Sequence, residues 1–314
     1  MKPFLVLMML LTACAAAWAD GSDTFAQWPG WEIRSSEDCY LSGNHTPYPL
    51  TYLIDGDPKT AWMSSGKLNP RQMALAYESS SKRPYRQWIE FCGNTTIDSI
   101  RVMNGNNSSP QAFARNNRIV RVRIIIDDQE VKTVSLSDKM GWHTITIPRT
   151  NFHRLKLEFT GIKKGPNNHT FVSEIALYDG NRKIDFHVPQ LFLFSSGDEC
   201  GDGLVTNIMS RSGKIIHSWN SQSAYDWSPS KRLIACLDEN SHVFVADITT
   251  GRALYDKPIK LRSKEDYCSL TNGFKWEGES SIILTLRHHT GRMINEHQEE
   301  IVDYRETINL NTGK

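Results

Sequence analysis

The 314-residue sequence lacks the motifs that mark the common enzyme classes. It contains no Gly-x-Ser-x-Gly nucleophile turn, no His-Glu-x-x-His zinc motif and no glycine-rich phosphate loop. Its positive and negative charges nearly balance, and the formal net charge is +1. A balanced charge gives no strong field to attract nucleic acid or an anionic membrane. These absences predict a protein that is not an enzyme, does not bind nucleic acid and recognises its partners locally.

Cysteine is scarce as well, and no two cysteines form a Cys-x-x-Cys pair. Widely spaced cysteines in an oxidising compartment are more often disulfide partners than metal ligands. Cys39 and Cys92 would share one domain, which leaves three cysteines in the second domain and therefore one that is free or pairs elsewhere. The sequence does not reveal the pairing. The disulfide candidates are Cys39, Cys92, Cys200, Cys236 and Cys268.

Long hydrophobic runs are missing beyond the N-terminus. The apolar run Phe4–Ala13 is too short for a membrane span and, after a basic start, is typical of a secretory signal. Two processing sites compete. Residues 1–19 form a signal peptide if cleavage follows Ala17-Trp18-Ala19, whereas residues 1–13 are removed and Cys14 is lipidated if Leu11-Thr12-Ala13-Cys14 acts as a lipobox. Either alternative predicts export, to a periplasmic, secreted or membrane-anchored location.

One acidic stretch, Leu53-Ile54-Asp55-Gly56-Asp57-Pro58-Lys59-Thr60-Ala61-Trp62, predicts a tight turn between apolar anchors. The carboxylates and the threonine hydroxyl are hard oxygen donors, which is the chemistry that Ca²⁺ prefers. In the alternative interpretation, Asp55 and Asp57 accept hydrogen bonds from nearby backbone amides and no ion is present.

Short runs of alternating apolar residues follow at regular intervals, and no segment shows a helical period. Seven strands bounded by Gly, Asn, Asp and Pro indicate an antiparallel sandwich or jelly roll, and hence an all-β fold. The predicted strands are Trp88–Phe91, Ile97–Met103, Val120–Ile126, Val131–Leu136, Trp142–Ile147, Phe152–Phe159 and Val172–Leu177.

Four motifs in order resemble the discoidin-like domain of coagulation factor V/VIII type C, and more narrowly its NAD glycohydrolase translocation, or NADase-type glycan-binding, branch. They are Leu53–Trp62, Gln87–Phe91, Ile100–Gly105 and Asn116–Arg121. The resemblance covers about residues 33–180 and implies a discoidin-like jelly-roll β-sandwich, which we place at residues 20–188. It also implies a structural calcium site at Asp57, Thr60 and Glu174. Because the β domain of this branch docks or delivers a catalytic part, the resemblance does not imply NAD hydrolysis here.

Two polar loops, 66–86 and 104–118, are the predicted ligand-binding regions, because loops longer than about 12 residues are often functional. Their amide, hydroxyl and guanidinium groups suit sugar hydroxyls. In the alternative, Asn116 and Asn117 serve their own backbone, and Trp62 and Trp88 are core residues rather than stacking platforms. The candidate ligand-binding residues are Asn104, Asn107, Arg115, Asn116, Asn117, Arg118, Tyr85 and Arg86.

Residues 189–314 are predicted to form a blade-like antiparallel β domain. Asp226–Ala235, Val243–Ile248 and Thr249–Arg252 resemble part of a β-propeller blade. Only about three blades fit, whereas a closed ring needs at least four. The predicted function is that of an exported, non-catalytic protein that binds glycan or another cell-surface ligand. The alternative is an envelope scaffold without sugar affinity, in which a protein partner or self-association completes the C-terminal domain. No cofactor is predicted apart from the calcium.

Overall fold

The computed structural model describes residues 24–36, 40–41, 44–64, 87–197, 204–220, 224–238, 241–259, 267–268, 274–295 and 298–310. Within these ranges the chain is made of β-strands joined by turns, together with a 3-10 turn and one short α-helix. The predicted all-β class is therefore confirmed. None of the described helices is long and apolar enough to span a bilayer.

Eleven strands, one helix and the 3-10 turn make up the first part of the chain. They are β1 (Thr24–Trp28), β2 (Trp31–Ser35), β3 (Tyr40–Leu41), β4 (Asn44–Pro47), the 3-10 turn Leu50–Leu53, β5 (Trp62–Met63), β6 (Trp88–Asn104), α1 (Pro110–Arg115), β7 (Arg118–Ile126), β8 (Gln129–Ser135), β9 (Trp142–Lys163), β10 (Phe171–Asp179) and β11 (Arg182–Lys183).

Two long strands, β6 and β9, build both layers of the sandwich. The sequence predicted two strands in each of these segments, but each is continuous and carries a register shift near its middle. Around the shift the partners change: the first half of β6 pairs with β2, and its second half pairs with β10. One continuous apolar cluster includes Phe91 and Leu157 from one layer and Val102 and Ile175 from the other. The bulged strands therefore turn a single hydrogen-bonded sheet around a shared core.

The polar loop between β6 and β7 is not without structure, contrary to the sequence-based expectation, because it contains α1. Ser109 accepts a hydrogen bond from the backbone amide of Ala112, and Pro110 occupies the first helical position. Gly105 turns the chain away from β6 with φ of 76°, and a Cβ there would lie 2.8 Å from the ring of Phe113. The loop is thus packed against its own helix.

The eleven strands described in the rest of the chain are antiparallel, as predicted. They are β12 (Leu191–Gly197), β13 (Leu204–Ser210), β14 (Ile215–Asn220), β15 (Ala224–Trp227), β16 (Leu233–Leu237), β17 (His242–Asp247), β18 (Arg252–Pro258), β19 (Tyr267–Cys268), β20 (Phe274–Glu277), β21 (Ser281–Asn295) and β22 (Gln298–Asn309).

The sheet of the sandwich continues across the boundary that the sequence placed at residue 188. Strand β12 pairs with β1, so β12, β13 and β14 extend the first sheet. Two four-stranded antiparallel sheets follow, one formed by β15 to β18 and one by β19 to β22. The first strands after residue 188 are therefore part of the sandwich sheet and do not start an independent sheet. The pairing of β12 with β1 joins distant segments of the chain, so composition does not reveal it.

Two of the disulfide candidates, Cys92 and Cys236, have free thiols, and a free cysteine among the three of the second domain was one of the expected outcomes. Cys236 is buried among apolar side chains of β12, β16 and β17, where a thiol packs as a small hydrophobic group. Cys92 is half-buried beside Glu90, and burial raises the pKa of its thiol. Cys14, Cys39 and Cys200, and the side chain of Cys268, lie outside what the structure describes.

Candidate functional site

The acidic turn is held rigidly between buried anchors, as predicted. Leu53 and Trp62 are fully buried on either side of it. The backbone amide of Asp57 donates to Asp55 Oδ1 at 2.8 Å, and that of Lys59 donates to Asp57 Oδ1 at 2.9 Å. The carboxylates therefore do cap the turn, as the ion-free interpretation expected.

Capping does not account for all the oxygen atoms gathered at this turn. Thr60 Oγ1 lies 3.0 Å and 2.8 Å from the two carboxylate oxygens of Asp55, and 2.8 Å from the main-chain oxygen of Asp57. A hydroxyl group carries a single proton and can donate only one full hydrogen bond. Three acceptors therefore share one donor, so the oxygen set is electron-rich.

Glu174 on β10 adds a buried carboxylate to this set. Its side chain is only 1% exposed, and the polar groups that face it are the carboxylate of Asp55 and the backbone of Gly56. Burial and the neighbouring Asp55 carboxylate together raise the pKa of Glu174 to about 8. Two carboxylates this close, one of them buried, cannot both ionise favourably without a compensating charge. The donor set of carboxylates, hydroxyl and main-chain oxygen fits a hard divalent cation.

Two of the three residues predicted as calcium ligands, Asp57 and Thr60, lie in the acidic turn, and the third, Glu174, faces it from β10 beside Asp55. Thr60 and Glu174 contribute side-chain oxygens, whereas the Asp57 carboxylate is engaged with the amide of Lys59 and its main-chain oxygen faces the hydroxyl. Asp55 supplies the carboxylate nearest to both. No cluster of three or more His, Cys, Asp or Glu residues arranged for a metal occurs among the described residues, so the set depends on the hydroxyl and main-chain oxygens.

A second candidate region, which we call the loop end, comprises residues 104–118, 137–142 and 163–170. Asn104 is fully buried there: its Nδ2 donates to the main-chain oxygen of Ile119 at 2.6 Å, and its Oδ1 accepts from the amide of Ile119 at 2.7 Å. Asn107 links the loop to the next turn, because its Oδ1 accepts from the amide of Gly141 at 2.9 Å. Both asparagines hold the loop in shape.

The three residues that follow α1 are also engaged internally. Asn116 donates to the main-chain oxygen of Ala112, and Asn117 accepts from the amide of Gly165. Arg118 is 6% exposed and donates to the main-chain oxygens of residues 113, 114 and 116. These contacts agree with the alternative in which Asn116 and Asn117 bond to backbone groups rather than to a ligand.

An ion-pair cluster ties the segments of the loop end together. Arg118 Nε lies 2.6 Å from Asp138 Oδ1, and Lys163 Nζ lies 2.5 Å from Asp138 Oδ2. Hydrogen bonding to these two cations lowers the pKa of Asp138. Of the remaining candidates, Arg115 is exposed on α1, and Tyr85 and Arg86 lie outside the described residues.

Sequence reasoning missed one exposed aromatic residue at the loop end. Trp142 is 43% exposed, while every other tryptophan whose side chain is described is buried or half-buried. It follows Gly141, which the Asn107 bond fixes, and it pairs with Met103 across the sheet. The signal was present in the alternation of β9, since His143 and Ile145 point inward and Trp142 and Thr144 outward. An outward tryptophan beside polar loops offers a flat apolar face to solvent.

Comparison with known proteins supports the resemblance read from the sequence. Residues 87–178 match the family model described as the NAD glycohydrolase translocation F5/8 type C domain. This confirms the resemblance over that part of the chain, which contains Glu174 and the whole loop end but not the acidic turn. No match was found among the curated proteins.

Solved structures similar to this chain include two from Clostridium perfringens. One contains the CBM32-1 and CBM32-2 domains of ZmpB in complex with GalNAc; it has 15% identity and a TM-score of 0.34, over 50% of this chain and 35% of that chain. The other is the family 32 CBM of NanJ in complex with galactose, with 13% identity and a TM-score of 0.33, over 50% of this chain and 99% of that chain. This chain thus spans about a third of the ZmpB structure.

Proposed function

We propose that this chain, which carries a match to the NAD glycohydrolase translocation F5/8 type C family, is a glycan-binding protein and that the loop end is its binding surface. The observation that supports this proposal most directly is the exposure of Trp142 at that end of the sandwich. The axial C–H face of a pyranose is apolar and stacks on an aromatic ring, which adds hydrophobic contact to hydrogen bonding.

Polar groups around Trp142 supply the second half of sugar recognition. Ser108, Gln111 and Arg115 are exposed on the loop that Asn107 ties to Gly141. Hydroxyl, amide and guanidinium groups can donate to or accept from sugar hydroxyls. Because Asn104 and Arg118 fix this loop from below, the exposed groups are presented in a preformed arrangement.

The test is glycan-array binding by the full chain and its Trp142→Ala variant, on arrays that contain galactose- and N-acetylgalactosamine-terminated glycans. We expect binding to fall by about tenfold or more in the variant, because the stacking face is lost. Trp142→Phe should retain part of the affinity, and Thr144→Ala, at the next outward position of β9, should retain all of it. Absence of any hit for the wild type, or equal binding by Trp142→Ala, would refute the proposal.

We also propose that the acidic turn binds calcium. Asp55, Thr60 and Glu174 would hold the ion through side-chain oxygens, and Asp57 through its main-chain oxygen. A bound divalent cation supplies charge that compensates the buried carboxylate and joins the turn to β10. This proposal draws on the buried carboxyl of Glu174 beside Asp55 and on the crowded hydroxyl of Thr60.

The chain is further proposed to be exported and non-catalytic. The basic start and short apolar run at the N-terminus support export, and the lack of enzyme motifs supports a binding role. Mass measurement of the mature N-terminus distinguishes cleavage before Asp20 from lipidation of Cys14. A mature protein that retains Met1 would contradict export through either route.

Self-association is a second candidate role that one observation favours. Strands β21 and β22 pair beyond the part of β21 that contacts β19 and β20, and four apolar side chains of this extension are exposed: Met293, Ile294, Ile301 and Val302. Several exposed apolar groups on one hairpin favour association with another surface. We expect light scattering to show an oligomer whose mass falls toward the monomer in a Met293→Ser, Ile294→Ser double variant. A monomeric wild type would exclude this role.

A further inference from the structure

A cleft outside both regions described above lies where the two halves of the chain meet. It is formed between the start of the acidic turn, the segment that follows β11 and the turn between β13 and β14, and it has a volume of about 280 Å³. That is near the lower end of the range for small-molecule pockets, about 300 to 1,000 Å³, so the cleft suits a ligand of one ring. Its lining is Ile54, Lys183, Ile184, Asp185, Phe186, His187, Val188 and Arg211.

The floor of the cleft is apolar and fixed. Ile184 and Phe186 are buried there, and each is held by a backbone bond: the amide of Ile184 donates to the main-chain oxygen of Leu177, and Trp28 Nε1 donates to the main-chain oxygen of Phe186, both at 2.8 Å. The opposite wall is fixed as well, because the amide of Arg211 donates to the main-chain oxygen of Gln190 at 3.1 Å. The cleft is therefore preformed.

The rim of the cleft is cationic. Lys183 and Arg211 are exposed, and neither forms an ion pair in the part of the chain that the structure describes. The one acidic side chain of the lining, Asp185, is already engaged: it accepts from the amide of His187 at 2.8 Å, and its Oδ2 lies 3.2 Å from His187 Nδ1. The buried Glu174 is within electrostatic reach of Lys183 but does not line the cleft. Two cations therefore face the opening, with one carboxylate beside them that is hydrogen-bonded to His187.

His187 is held in place by its neighbour Asp185. Its φ is +47°, and its two contacts with Asp185 maintain this left-handed conformation. In this conformation the exposed imidazole stays at the rim, where it can bond to a ligand hydroxyl.

We propose that this cleft binds an acidic monosaccharide, that is, a single sugar ring bearing a carboxylate. Lys183 and Arg211 would bind the carboxylate through charge-assisted hydrogen bonds, which are stronger than neutral ones. The apolar floor of Ile184 and Phe186 would contact a C–H face of the ring, and Asp185 and His187 would bond to its hydroxyls. The site is separate from Trp142 and does not depend on glycan binding at the loop end.

The test is calorimetric titration of the full chain carrying Trp142→Ala, which removes the stacking face of the loop end, with D-galacturonate, D-galactose and inorganic phosphate. We expect galacturonate to bind at least tenfold more tightly than galactose, because only galacturonate has a carboxylate for Lys183 and Arg211. We also expect it to bind more tightly than phosphate, because phosphate has no ring to contact the apolar floor of the cleft. Lys183→Gln and Arg211→Gln should each raise the galacturonate Kd by about tenfold. Lys257→Gln, at an exposed lysine of β18 that does not line the cleft, should leave it unchanged.

Three results would overturn this proposal. Equal affinity for galacturonate and galactose would show that the cations take no part. Affinity for phosphate equal to that for galacturonate would show that the floor takes no part. Unchanged galacturonate binding in Lys183→Gln and Arg211→Gln, both with wild-type melting temperatures, would place the ligand elsewhere. Loss of array binding in Trp142→Ala with intact galacturonate binding would separate the two sites.

Discussion

In the absence of calcium, Glu174→Gln is expected to stabilise the protein at alkaline pH. The unfolded carboxyl titrates near 4.5 and the folded one near 8, so between these values the folded state retains a proton that the unfolded state releases. The free energy of unfolding therefore falls as pH rises from about 4.5 to about 8. Glutamine removes the ionisable group, and we expect a gain of about 2–4 kcal/mol at pH 8.5 that disappears near pH 5.

Calcium should offset most of this difference between the two proteins. Binding requires the ionised carboxylate, so wild type at pH 8.5 should gain about 2.7 kcal/mol at a calcium concentration of 100 times Kd, and less at pH 6. Glu174→Gln should gain little. Thermal unfolding in chelator and in calcium, at pH 5, 6, 7 and 8.5, measures both effects. If chelator leaves the melting temperature of the wild type unchanged at pH 8.5, the calcium site is contradicted. The difference in stability between Glu174→Gln and wild type in chelator tests the buried charge separately.

Asn104→Ala is expected to lower the free energy of unfolding by about 2–5 kcal/mol, since an unpaired buried polar group costs about 1–3 kcal/mol. The amide of Asn104 satisfies both the N–H and the C=O of Ile119 inside the core, and alanine leaves both without a partner. It also releases the connection that starts the loop end. Chemical denaturation with fluorescence detection measures the loss.

Asn106→Ala provides the matched control for Asn104→Ala. Asn106 is half-buried in the same loop, and its Oδ1 accepts from the amide and hydroxyl of Ser108. Loss of these exposed bonds should cost under about 1 kcal/mol. If Asn104→Ala instead kept wild-type stability while losing glycan binding, Asn104 would be a ligand residue, as the sequence suggested, and the structural role would be wrong.

The acidic turn shows how far local chemistry carries a prediction. Asp, Gly and Pro in succession specify a turn wherever they occur, and the buried anchors Leu53 and Trp62 lie where the apolar pattern placed them. The position of Glu174 beside Asp55 could not be predicted by such reasoning. It arises because β10 brings that residue, more than a hundred positions later in the chain, beneath Asp55.

Residue type was a weaker guide for the loop end. Amide-rich sequence suggested sugar contacts, but Asn104, Asn116 and Asn117 bond to backbone groups. A polar side chain becomes structural or functional according to whether a backbone group lies within reach, and that depends on how the loop folds. The Ser109-Pro110 pair, a helix-start signal, was the local clue to α1 that the loop assignment overlooked.

The sequence by itself determined the all-β class, the acidic turn and the segments that become strands, because these depend on the alternation of side chains and on turn residues a few positions apart. Tertiary structure alone decided that β12 pairs with β1 across the expected boundary, that Trp142 faces solvent beside Asn107, and that Lys183 and Arg211 share one cleft. Each of these joins residues far apart in the chain, and such pairings depend on the register of bent strands, which no local pattern encodes.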